Sequence, residues 1–225
     1  MGKCKKHDTV KEELYEQYGV LRGLRDKNGK GVLVGITHVS DIRAKNIIDG
    51  KVYPIEGQLF YRGYNVYELE RKFIEQNSFG FEECAYLLIF GELPTPKALN
   101  EFKKILMANM RLPRNFVRDV IMKAPSRDIM NSLTKSVLTL ASYDKAANDT
   151  SMPNVIRQCL QLVAEFPMLS VYGYHAYRHY MCDDSLYIHR PDKNLSMAEN
   201  ILRMLRPNKK YTELEAKTLD RALIL

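Results

Sequence analysis

The chain contains 225 residues, of which 45% are hydrophobic, and this is enough for one large domain or two small ones. Its 34 lysines and arginines exceed its 27 aspartates and glutamates, so the net charge is +7. The longest mostly apolar stretch, residues 160–174, includes Gln161, Glu165 and Pro167 and falls short of the roughly 20 apolar residues of a membrane helix. The composition therefore favours a soluble globular protein and predicts no membrane-spanning helix.

The start of the chain and its cysteines bear on the cellular location. The basic segment 1–7 leads into a polar stretch, so the apolar core of a secretory signal is absent. The cysteines are widely separated and form neither a CxxC pair nor a disulfide-rich pattern. They are Cys4, Cys84, Cys159 and Cys182. We expect a cytoplasmic protein with reduced thiols that serve mainly in packing.

The N-terminal quarter predicts one short helix and a small β element. An amphipathic pattern over 10–18 indicates the helix. The following region, 19–63, is punctuated by glycines and contains two β-prone runs, Val32 to Thr37 and Leu59 to Tyr61. We interpret 19–63 as a small β element.

From residue 64 onward the helical signals dominate. Helices are predicted to start after the N-caps Asn65, Ser78 and Thr95, and to cover about 66–73, 81–90 and 96–111. Gly91 ends the second of them. Two further helices are predicted over 113–122 and 128–143.

The longest predicted helix covers about 153–179 and is apolar around most of its circumference. It should therefore be buried on several sides, within an oligomer, and Pro167 should bend it. Capping boxes at Ser196 with Glu199 and at Thr212 with Glu215 start two final helices. The predicted fold class is mainly α with a small β element.

Four groups of residues were considered as candidate ligand sites. His175 and His179 are four residues apart on one helix face, as in metal-binding pairs, but aromatic packing among neighbouring tyrosines explains them better. Arg62 lies between a strand and a helix, where a structural tie is expected. His189 reads as part of a loop. The last group is a glycine-rich segment with basic side chains, which has two interpretations: a phosphate cradle, or simple turns. Its residues are Gly23, Gly29, Gly31 and Gly35 with Arg25, Lys27 and Lys30.

Basic charge is concentrated in residues 97–123. Seven basic side chains there face only Glu101 and Asp119, for a local charge of +5. Such a patch could meet phosphates on nucleic acid or on a phosphorylated cofactor, and a solvated helix face explains it about as well. From these residues alone no reaction can be assigned.

The order of several short phrases changes that result, because it resembles the front half of a citrate synthase. The match runs in order over about residues 19–225. The phrases are 49–50 (DG), 57–64 (GQLFYRGY), 81–88 (FEECAYLL), 91–95 (GELPT), 162–167 (LVAEFP), 195–200 (LSMAEN) and 219–225 (LDRALIL).

The resemblance implies a mainly helical homodimer that condenses acetyl-coenzyme A with oxaloacetate to give citrate and free coenzyme A. It places the dimer interface in helices near 128–143 and 153–180. It also places the catalytic histidines and aspartate after residue 225, so no catalytic residue and no metal ligand is carried over. Arg25 resembles an arginine that meets a coenzyme A phosphate, and no cofactor besides this substrate is implied.

The last residues, Ala222 to Leu225, are apolar and lack a helix-ending signal. We therefore expect the chain to be the N-terminal part of a citrate synthase large domain and to be inactive alone. Two alternatives stay open: a 2-methylcitrate synthase that uses propionyl-coenzyme A, and a non-catalytic, half-length helical binding protein. A nucleic-acid role is weaker than either.

Overall fold

A computed structural model of the chain describes residues 12–19, 21, 23–26, 28–29, 31–32 and 37–225. The chain divides into two compact units, residues 1–38 and 39–225. In the first unit, helix α1 spans Glu12–Gln17, which confirms the described part of the helix predicted over 10–18. An isolated antiparallel bridge joins Arg25 to Gly31. Most of the β-prone run at 32–37 lies outside the described residues.

The second unit begins with a three-stranded antiparallel sheet in the order β1-β2-β3. The strands are β1, Ser40–Ile48, β2, Lys51–Tyr61, and β3, Tyr64–Asn65. Asp49 and Gly50 connect β1 to β2 with φ of 51° and 74°, the positive values that a two-residue hairpin turn requires. The predicted run 59–61 is the end of β2. The rest of the hairpin lies within the β element predicted over 19–63. Its strand bounds were not predicted, because nearly all of its side chains are exposed and no alternating apolar pattern marks them.

Helices fill most of the rest of this unit, as the sequence predicts. They are α2, Val66–Glu75, α3, Phe81–Phe90, α4, Pro96–Asn109, α5, Ile129–Ala141, α6, Met152–Cys182, α7, Met197–Leu205, and α8, Glu213–Ile224. None of the helices among the described residues is long and apolar enough to cross a membrane.

Local capping groups start most of these helices where the sequence places them. The side chains of Asn65 and Thr95 accept hydrogen bonds from the first turns of α2 and α4. Gly91 ends α3 in the left-handed conformation, with φ of 87°. Both predicted capping boxes, at Ser196 and Thr212, are formed in full. These five predictions are confirmed.

The N-cap prediction for α3 is wrong. Ser78 does not cap this helix; Gly80 is its N-cap residue and has no capping side chain. The carboxylate of Asp220, on α8, does the capping instead. It accepts hydrogen bonds from the Gly80 amide at 2.7 Å and from the Phe81 amide at 3.2 Å. Helix α8 therefore completes a helix that lies 140 residues earlier in the chain.

One predicted helix is also of a different type. The segment 113–122 forms a π-helix over Val117–Met122 rather than an α-helix. Phe116 and Ile121, five residues apart, are both buried in the core. The wider turn of a π-helix puts residues at this spacing on one face, which accounts for the conformation.

Two apolar clusters form the core of this unit. The smaller joins α2, α3 and α8 and contains Phe73, Leu87 and Ile224. The larger surrounds α6, which packs against α4, α5 and α7. Helix α6 continues through Pro167 and ends at a left-handed Asp183. The bend expected at Pro167 stays a prediction.

Candidate functional site

Arg25, the predicted coenzyme A contact, lies in a short turn of the first unit. Its Nη1 atom donates a hydrogen bond to the Gly29 carbonyl at 2.8 Å, and its backbone pairs with Gly31. The side chain is exposed. The turn therefore holds the guanidinium by one nitrogen and leaves the other donors accessible to a phosphate.

The glycines around Arg25 serve the turn. Gly23 and Gly29 have φ of 67° and 76°, values that favour glycine. The Gly29 amide donates to the Asp26 carbonyl at 3.0 Å, closing the turn. This geometry fits the turn interpretation, while Lys27, Lys30 and Gly35 of the alternative phosphate cradle lie outside the described residues.

The histidine pair on α6 is engaged in packing. His175 is buried, its Nε2 atom lies 3.1 Å from the Met204 carbonyl, and burial lowers the pKa of its ring. His179 contacts the Asp184 carbonyl through Nδ1 at 2.8 Å. Ring contacts with tyrosines accompany both, as the packing interpretation predicts. No group of three His, Cys, Asp or Glu side chains within the described ranges could hold a metal ion.

Arg62 and His189 are structural. The Arg62 guanidinium donates to the Leu88 carbonyl at 2.8 and 3.2 Å, so it ties the end of β2 to the last turn of α3. His189 lies in a loop, as predicted, and its Nε2 atom is 3.0 Å from the Pro207 carbonyl. Neither side chain is positioned for chemistry.

Two of the phrases that carry the resemblance meet in space. The Tyr61 hydroxyl, in phrase 57–64, donates to the Ile224 carbonyl, in phrase 219–225, at 2.8 Å. A cavity of about 570 Å³ lies beside this contact. It is lined by residues 56–59 of β2, by the first turn of α2 and by Leu225. The last turn of α8 is thus anchored on the sheet.

A second cavity, which the sequence did not reveal, lies between α4 and the start of α7. It has a volume of about 690 Å³, and its lining includes Lys103, Lys104 and Lys193 together with the buried Glu82. The Oε1 atom of Glu82 accepts a hydrogen bond from the Met197 amide at 2.8 Å. Its Oε2 atom is buried without a hydrogen-bonding partner among the described residues. We call this the α4–α7 cavity.

Burial raises the pKa of the Glu82 carboxyl above its ordinary value, and the Met197 amide and the charge of Lys103 only partly oppose the shift. In the folded protein the Glu82 carboxyl therefore stays protonated at pH values at which it has lost its proton in the unfolded chain. The associated stability is complete below about pH 4.5, the ordinary pKa, and is lost as the pH rises through the folded-state pKa.

Glu82→Gln should abolish this pH-dependent loss of stability, because the glutamine side chain does not titrate. We expect the free energy of unfolding of Glu82→Gln to rise relative to the parent chain as the pH increases above about 4.5. Urea denaturation at several pH values measures the difference. Glu75→Gln, at an exposed position on α2, controls for the removal of one charge. A difference that does not change with pH would contradict the prediction.

Comparison with known proteins bears on most of the chain. A family model described as citrate synthase, C-terminal domain, matches residues 24–225. The chain belongs to the citrate synthase family. The citrate synthase of Corynebacterium glutamicum is 30% identical over 185 residues, which are 79% of this chain and 40% of that protein. The citrate/2-methylcitrate synthase of Bacillus subtilis is 25% identical over 87% of this chain and 46% of its own length.

The fold agrees with this membership. The crystal structure of citrate synthase from Pyrobaculum aerophilum superposes with a TM-score of 0.69 and 25% identity, over 89% of this chain and 48% of that one. The predicted mainly α fold of the citrate synthase type is therefore confirmed. The chain spans less than half the length of these citrate synthase relatives.

Proposed function

We propose that the chain is part of a citrate synthase that condenses acetyl-coenzyme A with oxaloacetate to give citrate and coenzyme A. The observation that carries the proposal is the match to the family over residues 24–225, in the fold of its members. The chain covers 40–48% of the length of two of these relatives. The chain would supply part of the scaffold of the enzyme, because the resemblance places the reacting histidines and aspartate outside these 225 residues.

The geometry suggests how this scaffold would serve the reaction. The resemblance places the oxaloacetate-binding histidines directly after Leu225. The contact between Tyr61 and the Ile224 carbonyl fixes the last turn of α8 beside a cavity. Helix α8 would therefore set the position from which those histidines reach the substrate, without taking part in proton transfer itself.

The test is an assay of thiol release from acetyl-coenzyme A in the presence of oxaloacetate. We expect the product of the full coding region to release coenzyme A and form citrate, and the 225-residue chain to do neither. Reading the coding sequence beyond Leu225 separates the enzyme from the half-length binding protein, since a stop codon there would favour the latter. Citrate formation by the 225-residue chain would contradict its proposed role as scaffold alone.

2-Methylcitrate synthase is the second candidate, favoured by the name of the Bacillus subtilis relative. The two reactions differ by one methylene in the acyl donor. A hydrophobic pocket discriminates such donors by only about 10–200-fold. Comparing kcat/KM for acetyl- and propionyl-coenzyme A on the full-length protein decides between them.

Arg25 is proposed to bind a coenzyme A phosphate, on the strength of its exposed guanidinium and of the resemblance. We expect Arg25→Met in the full-length protein to raise KM for acetyl-coenzyme A roughly fivefold and to leave kcat nearly unchanged, because a distant charge contact contributes uniform binding. Arg71→Met, at an exposed ion pair on α2, is the matched control. An equal effect of both variants would exclude the role.

A homodimer through α5 and α6, near 128–143 and 153–180, is also proposed. Large apolar side chains are exposed on these helices, among them Met130 and Leu138 on α5 and Phe166 on α6. We expect Leu138→Glu to convert a dimer to a monomer in sedimentation analysis, because burying the new carboxylate is costly. Leu214→Glu, an equally exposed leucine on α8, should not. A dimer that tolerates Leu138→Glu would exclude this interface.

We further propose a cytoplasmic location. The cysteines in the described part of the chain, Cys84, Cys159 and Cys182, are free thiols, as expected in a reducing compartment. Cell fractionation with an antibody against the protein tests this proposal.

A further inference from the structure

The α4–α7 cavity has two walls of different origin. One wall is a single face of α4, formed by Asn100, Lys103, Lys104, Met107 and Ala108 at helical spacing. The opposite wall is the segment 193–196 and Glu199, at the start of α7. A volume of about 690 Å³ is within the range of small-molecule sites.

The cavity lining carries more basic than acidic side chains, with three lysines against Glu82 and Glu199. None of Lys103, Lys104 and Lys193 forms an ion pair with a described residue. The carboxylate of Glu199 is occupied by its capping box, where Oε2 accepts from the Ser196 amide at 2.8 Å. The lysines are therefore available to an anion that enters from solvent.

The floor of the cavity holds a polar group that needs a partner. Glu82 is 1% exposed and uses Oε1 to cap α7, while Oε2 has no hydrogen-bonding partner among the described residues. A buried carboxyl oxygen without a partner destabilises the folded protein. Met107, an unbranched and flexible side chain, lies in the same lining and gives the floor room to adjust.

We propose that the α4–α7 cavity binds a small phosphorylated molecule that carries a free hydroxyl group. The phosphate lies among Lys103, Lys104 and Lys193, which act as point charges. The hydroxyl reaches Oε2 of Glu82 when the flexible Met107 side chain moves aside, because this oxygen is covered in the structure. A hydroxyl fits this position in either protonation state of the carboxyl, because it donates to the ionised oxygen and accepts from the protonated one.

The proposed site takes part in no step of the condensation reaction. It also differs from the nucleic-acid interpretation of the basic segment 97–123. A nucleic-acid backbone needs an extended basic surface, whereas this site is concave and has a carboxyl group at its floor. Lys97 distinguishes the nucleic-acid interpretation from the proposed site, because it belongs to the basic segment but not to the cavity lining.

The test uses glycerol 3-phosphate and propyl phosphate as probes, titrated calorimetrically into the 225-residue chain at low salt. The two compounds share the phosphate and the three-carbon chain, but only the first carries hydroxyls. We expect glycerol 3-phosphate to bind with a Kd below about 1 mM, and propyl phosphate to bind about tenfold more weakly. Equal affinities, or no binding of either compound at 10-fold higher concentration, would overturn the proposal.

Charge variants test the other half of the site. Lys103→Met and Lys104→Met keep the aliphatic stem and remove the charge, and each should raise the Kd of glycerol 3-phosphate at least about fivefold. Lys97→Met, on the same helix, is the matched control and should change it less than about twofold. Equal effects of all three variants on the Kd would overturn the site. It would also be overturned if random-sequence DNA bound more tightly than glycerol 3-phosphate and all three variants weakened DNA binding equally. Circular dichroism confirms that each variant is folded.

Discussion

Replacing Asp220 with alanine is expected to lower the free energy of unfolding by about 3–5 kcal/mol, because it removes a fully buried carboxylate from its hydrogen bonds and from its ion pair with Arg221. The Asp220 carboxylate accepts hydrogen bonds from the Gly80 and Phe81 amides and pairs with Arg221 at 2.8 Å. Its removal leaves the Gly80 amide buried without an acceptor and deprives Arg221 of this carboxylate. Urea denaturation followed by circular dichroism measures the loss.

Two variants make the interpretation specific. Asp41→Ala removes an aspartate whose ion pair with Arg43 is exposed, and it should cost less than about 1 kcal/mol. Asp220→Asn keeps one acceptor oxygen and the size of the side chain, so its cost should fall between the two. A loss below about 1 kcal/mol for Asp220→Ala would show that water replaces the cap and that the contact does not stabilise α3.

Gly80→Ala is expected to destabilise the protein by about 1–3 kcal/mol through overpacking. A Cβ atom at Gly80 would lie 2.3 Å from Cδ2 and 2.4 Å from Cε2 of Phe73. These separations are far below contact distance, and Phe73 is fully buried, so its ring has little room to move. The same urea denaturation measures the effect.

Gly57→Ala is the matched control, since a Cβ at Gly57 meets nothing within 4 Å among the described residues. It should change stability by less than about 0.5 kcal/mol. Combining Gly80→Ala with Phe73→Leu should cost less than the sum of the two single changes, because the smaller side chain relieves the clash. Strict additivity would mean that the ring is not the obstacle.

The sequence predicts most of the helices because their starting signals are local. Asn65, Thr95, Ser196 and Thr212 each cap a helix within three residues of themselves, and such spacing is visible in the chain. The cap of α3 is not local, since Asp220 comes from a distant helix. Ser78 is the nearest preceding residue of a type that caps helices, and only the tertiary packing shows that it does not cap α3.

The sequence predicts a small β element over 19–63, but the strand bounds within it and the α4–α7 cavity were missed for a related reason. Apart from the end of β2, the side chains of the β1–β2 hairpin are nearly all exposed, so its sequence carries no period of two. Glu82 reads as an ordinary helical glutamate, and its burial follows from the later packing of α7 over α3. Arg25 came from resemblance rather than from pattern, and its local turn neither requires nor opposes a phosphate.

The cap that joins Asp220 to α3 also affects the order in which the protein can fold during synthesis. Residues 80 and 220 are separated by 140 positions. At roughly 5–20 residues per second, the ribosome needs about 7–28 s to make that interval. Until then the first turn of α3 lacks its acceptor, and the apolar cluster around Phe73 and Leu87 lacks Ile224. The N-terminal helices of this unit must therefore wait, partly exposed, for α8 to leave the ribosome, and we expect chaperones to bind them during that interval.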